Sequence, residues 1–380
     1  MRVEILSDQA ATPNLEAGAK GVACAFPQAA VLADGRLAIV YRRGETKHSY
    51  DGVFVFQRSS PDRTVWERPV VVFDGAARQP KQTVVSGGMC LTPKGTLCAT
   101  FSTVEELPAG MYMFSAEGMA LKRRVFAARS VDGGQTWSEA TLVDTRPYEL
   151  VGITTKPFIL PDGRLFAPIE IGTPAGVQSS FAVISEDDGR SFGPLMTCAD
   201  DTSGRLSLCD ARYTVLPDGR LLMLLWTFRR EDEETIEVHQ SYSADAGKTW
   251  TPAQSIGILG QITVPLALPG GAVIAASNYR LPPEGSRLWY SPDGGATWDT
   301  QHPIQMWDAR LTRILGEPVA AVVERNRAAG DSIWQALGGF TFGTPDLVGL
   351  PDGSVALTYY ATLNEIIHVR ACRFRAHAEE

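Results

Sequence analysis

The chain has 380 residues, 44% hydrophobic and 21% charged, with 36 glycines and 24 prolines, the composition of a folded, turn-rich protein and not of a disordered one. A formal charge of −8 with no basic run argues against nucleic acid or an anionic membrane as partner. No apolar run of about 18 residues is present, and the six cysteines (24, 90, 98, 198, 209 and 372) form neither a CxxC pair nor a Cys/His cluster, so neither a membrane helix nor a metal or other cofactor is expected.

From the N-terminus, Val3 to Leu6 reads as a short polar-flanked strand and not as an export leader. A cytoplasmic location is therefore expected, or a secreted or periplasmic one if a leader has been trimmed. Tight-turn tetrads flanked by β-prone residues then recur at Leu32 to Gly35, Thr92 to Gly95, Leu160 to Gly163, Leu216 to Gly219, Leu268 to Gly271 and Leu350 to Gly353. About 20 to 35 residues after a tetrad comes a second pattern, Ser-x-Asp-x-Gly-x-Thr/Ser-Trp/Phe. Its copies are Ser130, Asp132, Gly134, Thr136 and Trp137; Ser185, Asp187, Gly189, Ser191 and Phe192; Ser243, Asp245, Gly247, Thr249 and Trp250; and Ser291, Asp293, Gly295, Thr297 and Trp298. A decayed copy spans Ser59 to Trp66, with Asp62 and Thr64.

The pattern is that of a folded turn. Its Asp accepts from backbone N–H groups, its Gly supplies a conformation other residues resist, and its aromatic ring drops between neighbouring sheets. Four near-identical copies along one chain cannot share one active site, so the Asp is structural. Each unit reads strand, hairpin, strand, loop, strand, second turn, strand. The expectation is an all-β, six-bladed propeller of four-stranded antiparallel blades, at about residues 20–75, 82–146, 150–200, 207–258, 261–310 and 338–376. The last blade shows three strands, the third near Ile367 to Phe374, so the N-terminal segment (1–8) closes the ring as its fourth. Residues 311–337 fall outside this grammar and read as a short helix or an extra hairpin over one face.

Both turn types sit on one rim, so the opposite face is the working one. It is fed by residues 25–28 and 42–51 in blade one, then by Ser86 and 102–122 in blade two. Blade three gives Thr154 to Lys156 and Glu170, blade four Asp210 and Arg229 to Glu231. Blade five gives Gln261, Asn278 to Arg280 and Arg287, and blade six Thr344, Asp346, Tyr359 and Tyr360.

The repeated turn resembles the Asp-box of the sialidase (neuraminidase) superfamily, over nearly the whole chain. The resemblance implies a six-bladed propeller and a carbohydrate substrate, although Asp-boxes also occur in other glycosidases, lyases, receptors and assembly factors. Sialidases open blade one with Phe/Tyr-Arg-Ile-Pro, whose Arg clamps the sialic acid carboxylate; here Cys24, Ala25, Phe26 and Pro27 put Ala25 at that position. A guanidinium fork is not replaceable by a methyl group. The nucleophilic Tyr of the last blade falls at Thr344, and its assisting Glu at Asp210. The loop acid has no clean counterpart, Asp51 being near and His48 at the closer spacing.

These departures point to a sialidase-like glycoside hydrolase whose specificity is not sialic acid, working with carboxylates on opposite sides of a central pocket. Asp51 is the candidate general acid, with Asp210 or Glu170 as base or nucleophile. Asp51 precedes Gly52 and can equally form a turn, Glu170 can be a rim ion-pair partner, and Asp210 can be tied to Arg212. Arg42, Arg43, Lys156, Arg230 and Arg280 are candidate substrate ligands, and of Tyr359 and Tyr360 at most one faces the pocket. Other readings stay open: a uronate lyase using His48 with a Tyr and an Arg, a glycan- or protein-binding propeller, and a sialidase with rearranged residues.

Overall fold

The computed structural model describes residues 1–172, 178–314, 316–336, 338–339 and 341–377. Six antiparallel sheets succeed one another along the chain, each running outward from the central axis. Blade one is Ala23–Val31, Leu37–Gly44, Val53–Arg58 and Val70–Phe73; blade two is Gln82–Leu91, Leu97–Glu105, Arg123–Ser130 and Thr141–Leu142. In blade three the inner strand is split into Val151–Gly152 and Phe158–Ile159, both paired with Leu165–Gly172, followed by Gln178–Ser185 and Met196–Ala199. Blade four is Leu206–Val215, Leu221–Arg229, His239–Ser243 and Gln254–Ser255, and blade five is Thr263–Ala267, Val273–Tyr279, Gly285–Ser291 and Asp299–Trp307. Blade six joins the two ends of the chain: Gly343–Gly349, Val355–Leu363 and Ile366–His377 take Arg2–Ala10 as outermost strand, with Arg2 opposite His377. The N-terminal closure expected from the strand count is thus present.

The strands form because their inward positions are apolar and the tetrads turn tightly between them. In the first tetrad Gly35 has φ +79° and donates to the Leu32 carbonyl, while Leu32 N–H donates to Arg36. The core is radial, with one apolar cluster at each of the six interblade interfaces. Phe54, Phe56, Phe101 and Phe126 fill the gap between blades one and two, and Phe166, Leu221 and Met223 the gap between three and four. The other four gaps are filled by analogous clusters.

The Asp-boxes lock these interfaces from the rim. Asp132 accepts from Ser130 Oγ (2.8 Å), Thr136 N–H (2.9 Å) and Thr136 Oγ1 (2.6 Å), and Gly134 N–H donates to Ser130 Oγ (2.9 Å). Those hydrogen bonds hold its pKa down to about 2. Trp137 packs on Phe56 of the preceding blade, 5.6 Å between rings. The box of blade three, opened by Ser185, reaches the blade-two tetrad through Asp188, which accepts from Thr96 (2.7 Å) and pairs with Arg129 (2.6 Å). The decayed copy keeps the same device two residues shorter, with Ser60 and not Ser59 as its opening hydroxyl and Thr64 donating to Asp62 at 2.8 Å.

Residues 311–337 contain both expected elements: a hairpin of Arg313–Ile314 and Glu317–Pro318, then a helix, Val319–Ala328, and a turn of helix, Ile333–Ala336. Two carboxylates pin this insertion to neighbouring blades. Glu284 accepts from Ala320 N–H at 3.0 Å, and Glu233 accepts from Arg327 at 2.6 Å and from Ile333 N–H at 2.8 Å.

Candidate functional site

The inner strands do not run straight past the axis. Registers slip between Ala25 and Gln28, Val84 and Ser86, Cys209 and Arg212, and Gly343 and Asp346. Three bulged residues stand at positive φ: Phe26 at +58°, Asp210 at +49° and Thr344 at +49°. A bulge re-aims a side chain, and for residues with a Cβ such φ values are held only by their surroundings. Phe26, Val85, Asp210 and Thr344 all point into one cavity of about 160 Å³ at the head of the axis.

One wall of this cavity is charged and the other apolar. On the charged wall, Glu170 and Asp210 lie side by side. The Thr154 hydroxyl donates to Glu170 Oε1 at 3.1 Å and neighbours the Asp210 carboxylate, and the Asp210 backbone N–H also reaches Glu170. Burial first, and then the negative charge of Asp210, push the Glu170 pKa from 4.5 up to about 8. Burial also raises Asp210, while Arg212 and Arg280 favour its ionised form. Both shifts favour uptake of a proton by the pair, and the two carboxyls titrate together. Arg212 is fully buried, with Nη2 3.5 Å from Asp210 and Nη1 donating to the Thr154 carbonyl. Arg280 donates through Nε to Gln261 at 2.9 Å and lies 6.0 Å from the Trp226 ring centre.

The apolar wall surrounds His48. Its ring meets Phe114 edge-on at 4.7 Å, Phe26 stacked at 5.4 Å and Tyr112 at 5.8 Å. Burial, helped by the charges of Lys47, Arg42, Arg123 and Arg280, holds the imidazole neutral. Lys47 Nζ donates to Thr341 at 2.8 Å and lies 5.5 Å over Tyr360, whose hydroxyl also pairs with Thr341 at 2.8 Å. Burial and the Arg280 charge lower the Lys47 pKa well below its ordinary value. Phe114 and Met119, the latter the last residue of a short helix at Ala116–Met119, line this side. This side meets the blade-six insertion at Tyr112 and Gly338, where a methyl group on Gly338 would lie 2.2 Å from the Tyr112 oxygen.

Of the residues singled out from sequence as catalytic or substrate-binding candidates, Glu170, Asp210, His48, Arg280 and Tyr360 line the cavity, and the remaining candidates do not. Asp51 is exposed and its carboxylate accepts from Glu45 N–H at 2.9 and 3.1 Å, so the turn-forming alternative describes it and its assignment as the acid is corrected. Arg42 is fully buried, and its guanidinium is spent on the carbonyls of Val84 (2.9 Å), Thr46 (2.6 Å) and Ser49, clamping the loop that presents Lys47 and His48. Arg43 and Arg230 are partly buried away from the cavity. Lys156 lies deeper on the axis, paired with Asp346 at 2.8 Å and donating to the Ala29 carbonyl at 3.1 Å. Tyr359 turns into the core of blades five and six, 5.8 Å from Trp307, leaving Tyr360 as the one facing the cavity. The expected carboxylates on opposite sides of the pocket are replaced by a pair on one wall. Arg212, weighed only as a partner of Asp210, is itself a cavity residue; a charged Asp-x-Arg interrupting the apolar pattern of Leu206–Val215 is its signal. Ala25 packs on Tyr360 and Ile367, and Phe26 takes the cavity position beside it. Among the described residues no three His, Cys, Asp or Glu side chains gather in a way that could hold a metal ion.

A model of the BNR repeat-like domain matches residues 35–357. The chain belongs to the BNR repeat-like family. No curated protein matches this member of the family. Among solved structures, a Dyadobacter fermentans protein of unknown function superposes with a TM-score of 0.75 at 18% identity, covering 99% of both chains. The Hadza microbial sialidase Hz136 gives 0.67 at 15% identity over 92% of this chain and 65% of its own. The intramolecular trans-sialidase of Ruminococcus gnavus gives 0.64 at 12% identity over 94% and 95%. At these identities the likeness is one of fold: the BNR repeat-like chain shares the six-bladed propeller of the sialidases.

Proposed function

We propose that this BNR repeat-like protein is a glycoside hydrolase in which Glu170 and Asp210 act as an acid–base pair on an acidic sugar other than sialic acid. The observation that carries the proposal is the buried carboxyl pair lining one cavity: burial and the charge of Asp210 raise the Glu170 pKa to about 8, while burial also raises Asp210 and Arg212 and Arg280 favour its ionised form. Glu170 gives its proton to the leaving glycosidic oxygen as the bond to the anomeric carbon breaks, and the pair then takes back a proton from the water that bonds to that carbon from the same side. An acidic substrate is supported by the charge of the cavity: Arg123, Arg212 and Arg280 line it together with the two carboxyls of Glu170 and Asp210, and a ligand anion would offset the excess of cations. Ala25 and Thr344, where sialidases have Arg and Tyr, support a specificity away from sialic acid.

The test is a panel of 4-nitrophenyl glycosides of uronic acids, neutral hexoses and sialic acid. Turnover of a uronide is expected, with Glu170→Gln and Asp210→Asn each lowering kcat/KM at least about a hundredfold. Undiminished activity in both variants would overturn the acid–base roles, and a preference for the sialoside would overturn the specificity. Release of an unsaturated uronate, with new ultraviolet absorbance, would replace hydrolysis by elimination and move the base to His48.

A further inference from the structure

Arg212 reaches the cavity because the inner strand of blade four bulges. Along Leu206–Val215 the register slips between Cys209 and Arg212, and Asp210 within the bulge stands at φ +49°. Asp210 and Arg212 consequently both line the cavity. The Arg212 side chain is 0% exposed, yet only part of its guanidinium is engaged. Nη1 donates to the Thr154 carbonyl of blade three, which fixes the plane of the group. Nε and Nη2 have no hydrogen-bond partner among the described residues. These two nitrogens form one edge: the Nε–H and one Nη2–H point the same way, a fork matched to the two oxygens of a carboxylate. Asp210 does not fill that edge, its Oδ1 standing 3.5 Å from Nη2 without a hydrogen bond. The other cations lining the cavity are differently placed. Lys47 donates to Thr341 at 2.8 Å, Arg280 donates through Nε to Gln261 at 2.9 Å, and the Arg123 guanidinium lies 5.3 Å over the Phe114 ring. Buried donors in folded proteins are almost all paired, and an unfilled edge on a cation is the costliest kind of exception.

We propose, building on the acidic-sugar reading above, that the Nε/Nη2 edge of Arg212 is the seat of the substrate's carboxylate, and that the substrate is therefore a uronide with a free acid group and not its ester or a neutral sugar. The carboxylate accepts both hydrogens of the edge in parallel, and the sugar ring is held beside the carboxyl pair it has to meet. The edge lies directly under the cavity surface, so the ligand oxygens reach it as the Asp210 side chain turns aside. Asp210 and the ligand thus contest one nitrogen, Nη2, and the negative charge of Asp210 opposes binding. A lysine in place of Arg212 would keep a positive charge there but offer a point and not a fork.

The test is binding and not turnover, so it stands apart from the acid–base roles. Titration calorimetry at neutral pH uses D-glucuronate and D-galacturonate, their methyl esters, D-glucose, D-galactose and galactose 6-sulfate as probes. Wild type is expected to bind one of the uronates at least about tenfold more tightly than its methyl ester and than the matching hexose. In Arg212→Lys the affinity for that uronate should fall at least about tenfold while the hexose stays within about threefold, which also reports an intact cavity. Asp210→Asn removes the contesting charge at nearly constant shape and should tighten the uronate by about tenfold, again without effect on the hexose; it carries the test if Arg212→Lys does not fold. A uronate bound no better than its ester, an affinity unmoved in either folded variant, or tighter binding of galactose 6-sulfate would overturn the seat. Uronate binding that follows these expectations, together with full activity in Glu170→Gln and Asp210→Asn, would support the seat and sink the acid–base roles. Loss of activity in those two variants with a uronate affinity indifferent to Arg212 would do the reverse.

Discussion

Replacing Glu170 by Gln should make the protein more stable at alkaline pH than the wild type, even though it removes a group at the heart of the cavity. Glu170 is 5% exposed, and its pKa in the folded protein is pushed from 4.5 to about 8. The folded state therefore binds a proton between these values that the unfolded chain has released. A raised pKa gives stability that is fully present below the unfolded value and is lost as the pH rises through the folded one. At about 1.4 kcal/mol per pH unit, the loss between pH 5 and pH 8 is on the order of 4 kcal/mol. Gln mimics the protonated carboxyl, so the variant should match wild type near pH 5 and gain on it steadily toward pH 8. The wild-type profile alone does not isolate the effect, because other groups titrate in the same window with the opposite sign. His48, His368 and Lys47 all have lowered pKa values and contribute stability that grows as the pH rises. The difference between variant and wild type cancels them. The assay is urea unfolding of both proteins at several pH values from 5 to 9. A difference in unfolding free energy that stays flat across that range would refute the assignment of a shared, buried proton.

Two further predictions concern the axis beneath the cavity. Gly88→Ala would place a methyl carbon 2.3 Å from the Lys156 Cα, a backbone atom that cannot swing aside; a destabilisation of about 1–3 kcal/mol is expected in urea unfolding. Lys156→Met removes the partner of Asp346, which is 1% exposed and also accepts from Ala29 N–H at 2.6 Å; leaving that carboxylate buried and unpaired should cost about 3–5 kcal/mol and lower the Tm accordingly. A Tm unchanged by this substitution would show that the pair does not hold blades one, three and six together at the axis.

The propeller was legible because its punctuation is local. A Leu-Pro-Asp-Gly tetrad or an Asp-box makes its turn with its own residues, so each could be read without knowing what lay beside it, and their alternation set the blade count. The site was legible only where the same counting reached it. Glu170 follows the tetrad of blade three on its second strand and Asp210 precedes the tetrad of blade four on its first, and both face the cavity. Asp51 and Arg42 were misjudged because their roles depend on where hydrogen bonds end: the donors of Arg42 reach carbonyls 4, 7 and 42 residues away in sequence. The side-by-side placing of the carboxyls arises from the bulge at Asp210, whose φ of +49° is imposed by the fold and not by its residue type. A bulge of this kind has no signature in spacing, and for that reason Arg212 was weighed only as a partner of Asp210. The insertion defied a choice between hairpin and helix because it contains both.

The closing blade has a consequence for how the protein is made. Among the described residues, the strand partner of Arg2–Ala10 is Ile366–His377. During synthesis this strand must therefore wait, unpaired, until the rest of the propeller has followed it. Blades one to five can each fold as their own residues emerge, but the ring cannot shut until the end. Until then its inner strands lack a full circle of neighbours, and Phe26 and Thr344, contributed by the first and last blades, remain apart. The cavity is thus assembled in the last step of folding, and a chain truncated by even its final strand would have five blades and no working site.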